Sequence, residues 1–156
     1  MKKPYIYVAS SWRNQDHPAV VGELRAHGFD VYDFRNPSPG DNGFHWSEID
    51  PDWKSWTSEK HIGSLGHPIA QRGFGKDLAA MVRADACVLV LPCGRSAHLE
   101  AGWFVGAGKP TFIFLGDLVE PELMYKLSSG VFADLSEIIE ALNRTFSEKT
   151  KDAGDG

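Results

Sequence analysis

The sequence predicts an α/β protein with a doubly wound, parallel, five-stranded sheet and helices on both faces. Three observations carry this expectation. Ala86 to Leu91 is a continuous apolar run without alternation, the pattern of a central parallel strand covered on both sides. A breaker cluster, Pro92 to Arg95, and a helix rich in small residues follow it. Near the N-terminus, strand-like, helix-like and strand-like stretches alternate, as in a βαβ half-unit.

Taken in order, Tyr5 to Ala9 is a short β-rich run. It ends in the polar loop Ser10-Ser11-Trp12-Arg13, a ligand-binding position in a doubly wound sheet. A helix is expected from about Asp16 to His27, with Pro18 early, where it is tolerated, and Val20, Val21 and Leu24 as its apolar stripe. Gly28 ends it, and Phe29 to Phe34 is the second strand. Asn36 to Gly43 reads as a loop. Phe44, His45, Trp46, Trp53 and Trp56 then crowd an irregular stretch. These rings suit either a packed lid or a stacking platform for a flat ligand, with Trp46 the candidate contact.

His67 to Ala84 is a helix whose first half is weakened by Gly73 and Gly75, so its regular part is expected from Phe74. After the central strand, Ser96 is the expected N-cap of a helix from about Ala97 to Ala107, which Gly108 stops. Thr111 to Leu115 is a fourth strand, Pro121 to Tyr125 a short turn, and Val131-Phe132 a brief fifth strand. Asp134 to Phe146 is an amphipathic helix built on Leu135, Ile138, Ile139 and Leu142. Residues 147–156 read as a disordered tail, which leaves one domain over 1–146.

Composition narrows the function classes. The 156 residues carry a formal net charge of −5 and no basic patch, which argues against polymeric nucleic acid as partner and for a small molecule. No apolar run approaches a bilayer span, and none suits a signal peptide. The two cysteines, Cys87 in the strand and Cys93 in the loop after it, are poorly placed to bridge; a reducing, cytoplasmic setting is expected.

The six histidines form no His-x-x-x-His pair and the cysteines no Cys-x-x-Cys, so neither a metal nor another cofactor is expected. Phosphate-loop, dinucleotide and nucleophile-elbow motifs are absent too. Carboxylates remain. Glu100 lies near the start of the helix after the central strand, at the sheet edge where ligands bind in this fold. The helix dipole there favours the ionised form. Asp77, on the preceding helix, is the second acid. Two carboxylates, one nucleophilic and one proton-donating, suffice to cleave a glycosidic bond with retention. A surface glutamate in a helix's first turns is also common without any function.

Four segments resemble the nucleoside 2-deoxyribosyltransferases and the related nucleoside 5′-monophosphate N-glycosidases. They are Tyr5 to Trp12; Asp77-Leu78 with Ala84-Asp85; Leu99-Glu100-Ala101-Gly102 with Gly108-Lys109-Pro110; and Pro121 to Met124. They occur in order across roughly residues 4–146. The resemblance implies a flavodoxin-like fold with strand order 2-1-3-4-5. It implies Glu100 as the nucleophile attacking C1′ of the sugar, Asp77 as the acid at the base, and Tyr7 as the group orienting Glu100. It further implies that Glu122 and Met124 approach a neighbouring subunit's site, and hence a homo-oligomer.

In the transferases an aspartate six residues before the nucleophile holds the sugar 5′-hydroxyl; the monophosphate hydrolases have a serine nearby for phosphate. Here that position is Gly94, with Arg95 and Ser96 beside it. Arg95 and Ser96 at a helix N-terminus suit a phosphate, and Ser11 and Arg13 match first-loop positions that contact phosphate in the hydrolases, whereas Glu122 would repel a phosphate that came close. The 5′ group and the base stay open. The expected function is cleavage of a nucleoside or nucleotide N-glycosidic bond, by hydrolysis or transfer. The rival is a nucleotide-binding or signalling module with the Toll/interleukin-receptor variant of the same fold.

Overall fold

The computed structural model describes residues 2–117 and 120–152, with backbone alone for 148–152. The β-rich runs form β1 (Tyr5–Ala9), β2 (Asp30–Asp33), β3 (Ala86–Val90), β4 (Thr111–Phe114) and β5 (Gly130–Phe132). They make one five-stranded sheet in the order β2-β1-β3-β4-β5. The pairings β1 with β3, β3 with β4 and β4 with β5 are all parallel. The helices are α1 (His17–Ala26), α2 (Ser58–Leu65), α3 (Pro68–Arg83), α4 (Arg95–Gly106) and α5 (Leu135–Asp152). The doubly wound, flavodoxin-like α/β class and its strand order agree with the sequence expectation.

The continuous apolar run at 86–90 has the predicted cause: every residue of β3 is buried. Ile6 and Val8 of β1 and Ala86, Val88 and Val90 of β3 join one apolar cluster with Val20, Val21 and Leu24 of α1 and Ile138 and Leu142 of α5. The alternate residues Tyr7, Ala9, Cys87 and Leu89 are equally buried. On the side of the sheet away from that cluster, α4 packs on β1 and β3. Burying each large side chain of such a core contributes about 1.5–3 kcal/mol.

Contacts divide the chain into two compact units, Met1–Tyr32 with Ala84–Gly156, and Asp33–Arg83. The second contains an isolated bridge between Ser38 and Asp41, single 3₁₀ turns at Trp46–Glu48 and Trp53–Ser55, and α2 and α3. Helix α2 is an element the sequence reading does not contain. Its apolar residues, Ile62 and Leu65, are exposed, so no buried stripe marks it. Its start is nevertheless capped, with the Thr57 side chain accepting from the Lys60 amide at 3.2 Å.

Three boundaries differ from expectation. Helix α3 is continuous from Pro68, because Gly73 is where Phe44 packs against the helix: a Cβ at residue 73 would lie 2.9 Å from the Phe44 Cβ. Helix α4 starts at Arg95 with Gly94 as N-cap, so Ser96 is inside the helix and exposed. Helix α5 reaches Asp152, into the stretch expected to be a disordered tail. Residues 147–152 carry no apolar side chain. Glu and Lys are nonetheless good helix formers and prolong a helix already anchored by buried Ile138 and Leu142. Among the described residues no helix is long and apolar enough to cross a membrane.

Candidate active site

The strand order places a switch point between β1 and β3, since the chain leaves β1 for β2 on one side while β3 pairs on the other. Ligands bind in the crevice outside the carboxyl ends of strands at such points. Here the loops after β1 and β3 are tied to each other. Ser10 Oγ donates to the Val90 carbonyl at 2.9 Å. Asn14, buried, donates through Nδ2 to the carbonyls of Val90 at 3.4 Å and Pro92 at 3.0 Å. Its Oδ1 accepts from the amides of Asp16 at 2.8 Å and His17 at 3.0 Å. One buried amide therefore caps α1 and fastens its loop to the end of β3. The Asn14 carboxamide does this work because Asp16, the N-cap residue, makes no side-chain cap bond.

Glu100 lies in the second turn of α4, half-buried. The dipole effect falls off within the first turn, so it contributes less there than the sequence position suggests. A tyrosine holds the carboxylate instead. Tyr7 Oη donates to Glu100 Oε1 at 2.8 Å. Tyr7 is 1% exposed. Its ring is stacked on Tyr32 with centroids 5.2 Å apart and tilted against Phe104 at 5.4 Å. With its ring clamped on two sides, the phenol has little freedom, and the carboxylate it meets is held in one orientation. A hydrogen bond to an ionised group is worth about 1.5–3 kcal/mol.

Cys93 stands beside this carboxylate. Burial and the Glu100 charge push its thiol up to about 12. It is thus a neutral thiol, unsuited as a nucleophile. Both cysteines are free. Also on α4, His98 Nδ1 lies 2.8 Å from the Gly94 carbonyl and 3.6 Å from Cys93 Sγ, and its Nε2 lies 3.0 Å from Tyr125 Oη.

Ser11 is half-buried; its Oγ accepts from the Arg13 amide at 3.2 Å. Trp12, Arg13, Arg95 and Ser96 are exposed in the first loop and at the start of α4. Glu122 and Met124 are exposed at the 3₁₀ turn Leu123–Leu127. Asp77 is on α3 in the second unit, half-buried. Trp46, in the same unit, packs edge-to-face on Phe44, Trp56 and His61 with centroids 4.8, 5.5 and 5.5 Å apart. Trp56 in turn donates Nε1–H to Asp50 at 2.7 Å. Three ring partners fix Trp46 within its own unit. Asn14, which ties the two loops together, and the His98–Tyr125 pair at α4 are not among the candidates the sequence offers. Asn14 before His17-Pro18 carries an N-cap signal; His98 and Tyr125 meet only in three dimensions. Among the described residues no group of three or more His, Cys, Asp or Glu side chains is arranged to hold a metal ion.

The strand order and the Tyr7–Glu100 pair together define a doubly wound α/β protein with a held carboxylate on the helix that follows β3. No protein-family model and no curated protein sequence matches the chain. Solved structures do. A 2-deoxyribosyltransferase from the psychrotolerant bacterium Bacillus psychrosaccharolyticus is 18% identical with a TM-score of 0.56, over 86% of this chain and 90% of that one. A conserved protein from Enterococcus faecalis V583 is 14% identical with a TM-score of 0.58, over 92% and 99%. The CMP N-glycosidase BcmB of Clostridium botulinum is 13% identical over 89% and 98%, at a TM-score of 0.49, too loose a likeness to carry an argument. The fold is thus one that a 2-deoxyribosyltransferase shares, as the four sequence segments led one to expect.

Proposed function

We propose that this protein is an enzyme that cleaves the N-glycosidic bond of a nucleoside or nucleoside 5′-monophosphate through a covalent intermediate on Glu100. The single observation that carries the proposal is the Tyr7–Glu100 hydrogen bond of 2.8 Å at the switch point of the sheet. A carboxylate oriented by a buried phenol in a ligand crevice suits a nucleophile better than a solvated surface glutamate. This favours an enzyme over a nucleotide-sensing module of the same fold.

In the proposed mechanism a Glu100 oxygen attacks C1′ of the sugar. The C1′–N bond breaks, its electron pair leaves with the base, and Asp77 supplies the proton that neutralises it. Such acid catalysis contributes about 10²–10⁴-fold. Water, or a second base in a transfer reaction, then displaces Glu100 from C1′ and restores the carboxylate, while the ionised Asp77 takes up the proton of the attacking group. Two displacements at one carbon retain configuration. None of these steps calls on a metal or organic cofactor. Ser10 to Arg13 and Gly94 to Ser96 are proposed to bound the pocket for the sugar and its 5′ group, and Trp46 to border the base.

We further propose a cytoplasmic homo-oligomer in which Glu122 and Met124 face a neighbouring copy. Its support is the exposure of Leu123, Met124 and Leu127, at 76%, 64% and 61%.

The test is a panel of nucleosides and 5′-monophosphates incubated with the protein, with free base measured by chromatography. Release by the wild type, its loss in Glu100→Gln, and a glycosyl adduct on the Glu100 peptide from a slow fluorinated analogue are the expected results. Undiminished release by Glu100→Gln would overturn the nucleophile assignment.

A further inference from the structure

We propose that His98 is a positioning residue that clasps the Leu123–Leu127 turn to its own chain's helix α4, making Tyr125 a wall of the pocket in front of Glu100. The inference rests on the proposed function and adds to it. There the turn offers its apolar side to a neighbour; here its Tyr125 side serves the chain that carries it.

The geometry has three parts. The Gly94 carbonyl can only accept, so His98 Nδ1, 2.8 Å away, carries the proton. In the neutral ring Nε2 is then an acceptor, and Tyr125 Oη, 3.0 Å away, donates to it. The two rings are also stacked, with centroids 5.8 Å apart and planes at 15°. A loop carbonyl, a helix residue and a turn residue 27 positions further on are joined through one imidazole. Cys93 connects this clasp to the loop after β3. Its sulfur is 3.6 Å from His98 Nδ1, and its thiol feels the charge of Glu100. Burial first, and then Cys93, raises the Tyr125 phenol above its ordinary value. Cys93, His98 and Tyr125 therefore meet beside the start of α4, where His98 stands two residues before Glu100 on the same helix.

Two isosteric substitutions separate the halves of the clasp. His98→Asn keeps a nitrogen near Nδ1 for the Gly94 carbonyl and loses the bond to Tyr125. His98→Gln places its amide near Nε2 and keeps that bond. Tyr125→Phe retains the stacking and removes the hydroxyl. With a nucleotide substrate, His98→Asn and Tyr125→Phe are expected to raise KM roughly three- to tenfold with kcat changed less than about twofold, the size of one lost hydrogen bond. His98→Gln is expected to restore most of the loss. Alkylation of Cys93 by iodoacetamide, located by peptide mass mapping, reads the same wall without any substrate. It should quicken several-fold in the two loosened variants and not in His98→Gln. Amide exchange over residues 122–128 should quicken in parallel. Faster exchange there with unchanged Cys93 alkylation would show that the turn is no part of this wall and overturn the proposal. A wild type that releases no base from any nucleoside would instead overturn the enzymatic reading, and the alkylation result would still decide the clasp.

Discussion

Tyr7 and Glu100 are 93 residues apart in the chain and share a hydrogen bond of 2.8 Å. The bond joins β1 to α4 across the face of the sheet on which α4 packs. Tyr7 can make it because its neighbours across the pairing, Cys87 in register on β3 and Tyr32 stacked on its ring, leave the phenol one direction to point.

Tyr7→Phe removes the hydroxyl and keeps the ring packing. It should lower kcat for base release by about 10–100-fold, since a misoriented nucleophile costs that order of rate. Stability should fall by about 1–3 kcal/mol for the lost bond to a charged group. Steady-state kinetics and denaturant melts check the two effects separately. A variant with unaltered kcat would remove Tyr7 from the machinery.

Asp77→Ala should discriminate between substrates. Bases that leave readily need little protonation and should lose less than about tenfold in rate, whereas poor leaving groups should lose the full 10²–10⁴ of acid catalysis. A plot of the rate loss against the leaving-group pKa therefore has a positive slope. A flat plot would assign the proton to another group.

Cys93 supplies a pH prediction. Its thiol is pushed up to about 12 from an ordinary value of 9.0, first by burial and then by the charge of Glu100. The folded state therefore holds the proton more tightly than the unfolded chain. The corresponding stability is fully present below about pH 9 and is lost as pH rises toward about 12. Unfolding free energies measured from pH 8 upward should decline, and Cys93→Ser should flatten the decline. Alkylation of Cys93 near pH 8 should be slow, and faster in Glu100→Gln, which removes one of the two causes.

Gly73 and Gly75 lie on the same helix and should respond oppositely to alanine. A Cβ at residue 73 would meet the Phe44 Cβ at 2.9 Å and Cγ at 3.0 Å, whereas one at residue 75 meets nothing within 4 Å. Gly73→Ala should destabilise by about 1–3 kcal/mol through overpacking. Gly75→Ala should stabilise by about 0.5–1 kcal/mol through helix propensity. Thermal melts of the two variants decide the matter, and equal shifts would refute the packing argument.

That Tyr7 meets Glu100 was implied by the resemblance of whole segments; the sequence by itself determined the strands and their parallel class. Each rests on a local pattern: the unbroken apolar run at 86–90 means burial on both faces, and a breaker followed by small residues means a loop and a close-packed helix. Tertiary structure decided the rest. Gly73 reads as a helix breaker until Phe44 is seen to occupy the space a side chain would need. Ser96 reads as a cap because serine favours that position, yet the helix begins earlier, at Arg95, with extended Gly94 as the cap. Helix α2 has no buried apolar stripe, so periodicity could not find it. His98 and Tyr125, 27 residues apart, carry no joint signal, since side-chain pairing over that distance depends on where β4 and the turn after it deliver the second ring. Local pattern encodes what a segment buries; which polar groups meet across segments is set only when the sheet brings their loops to one edge.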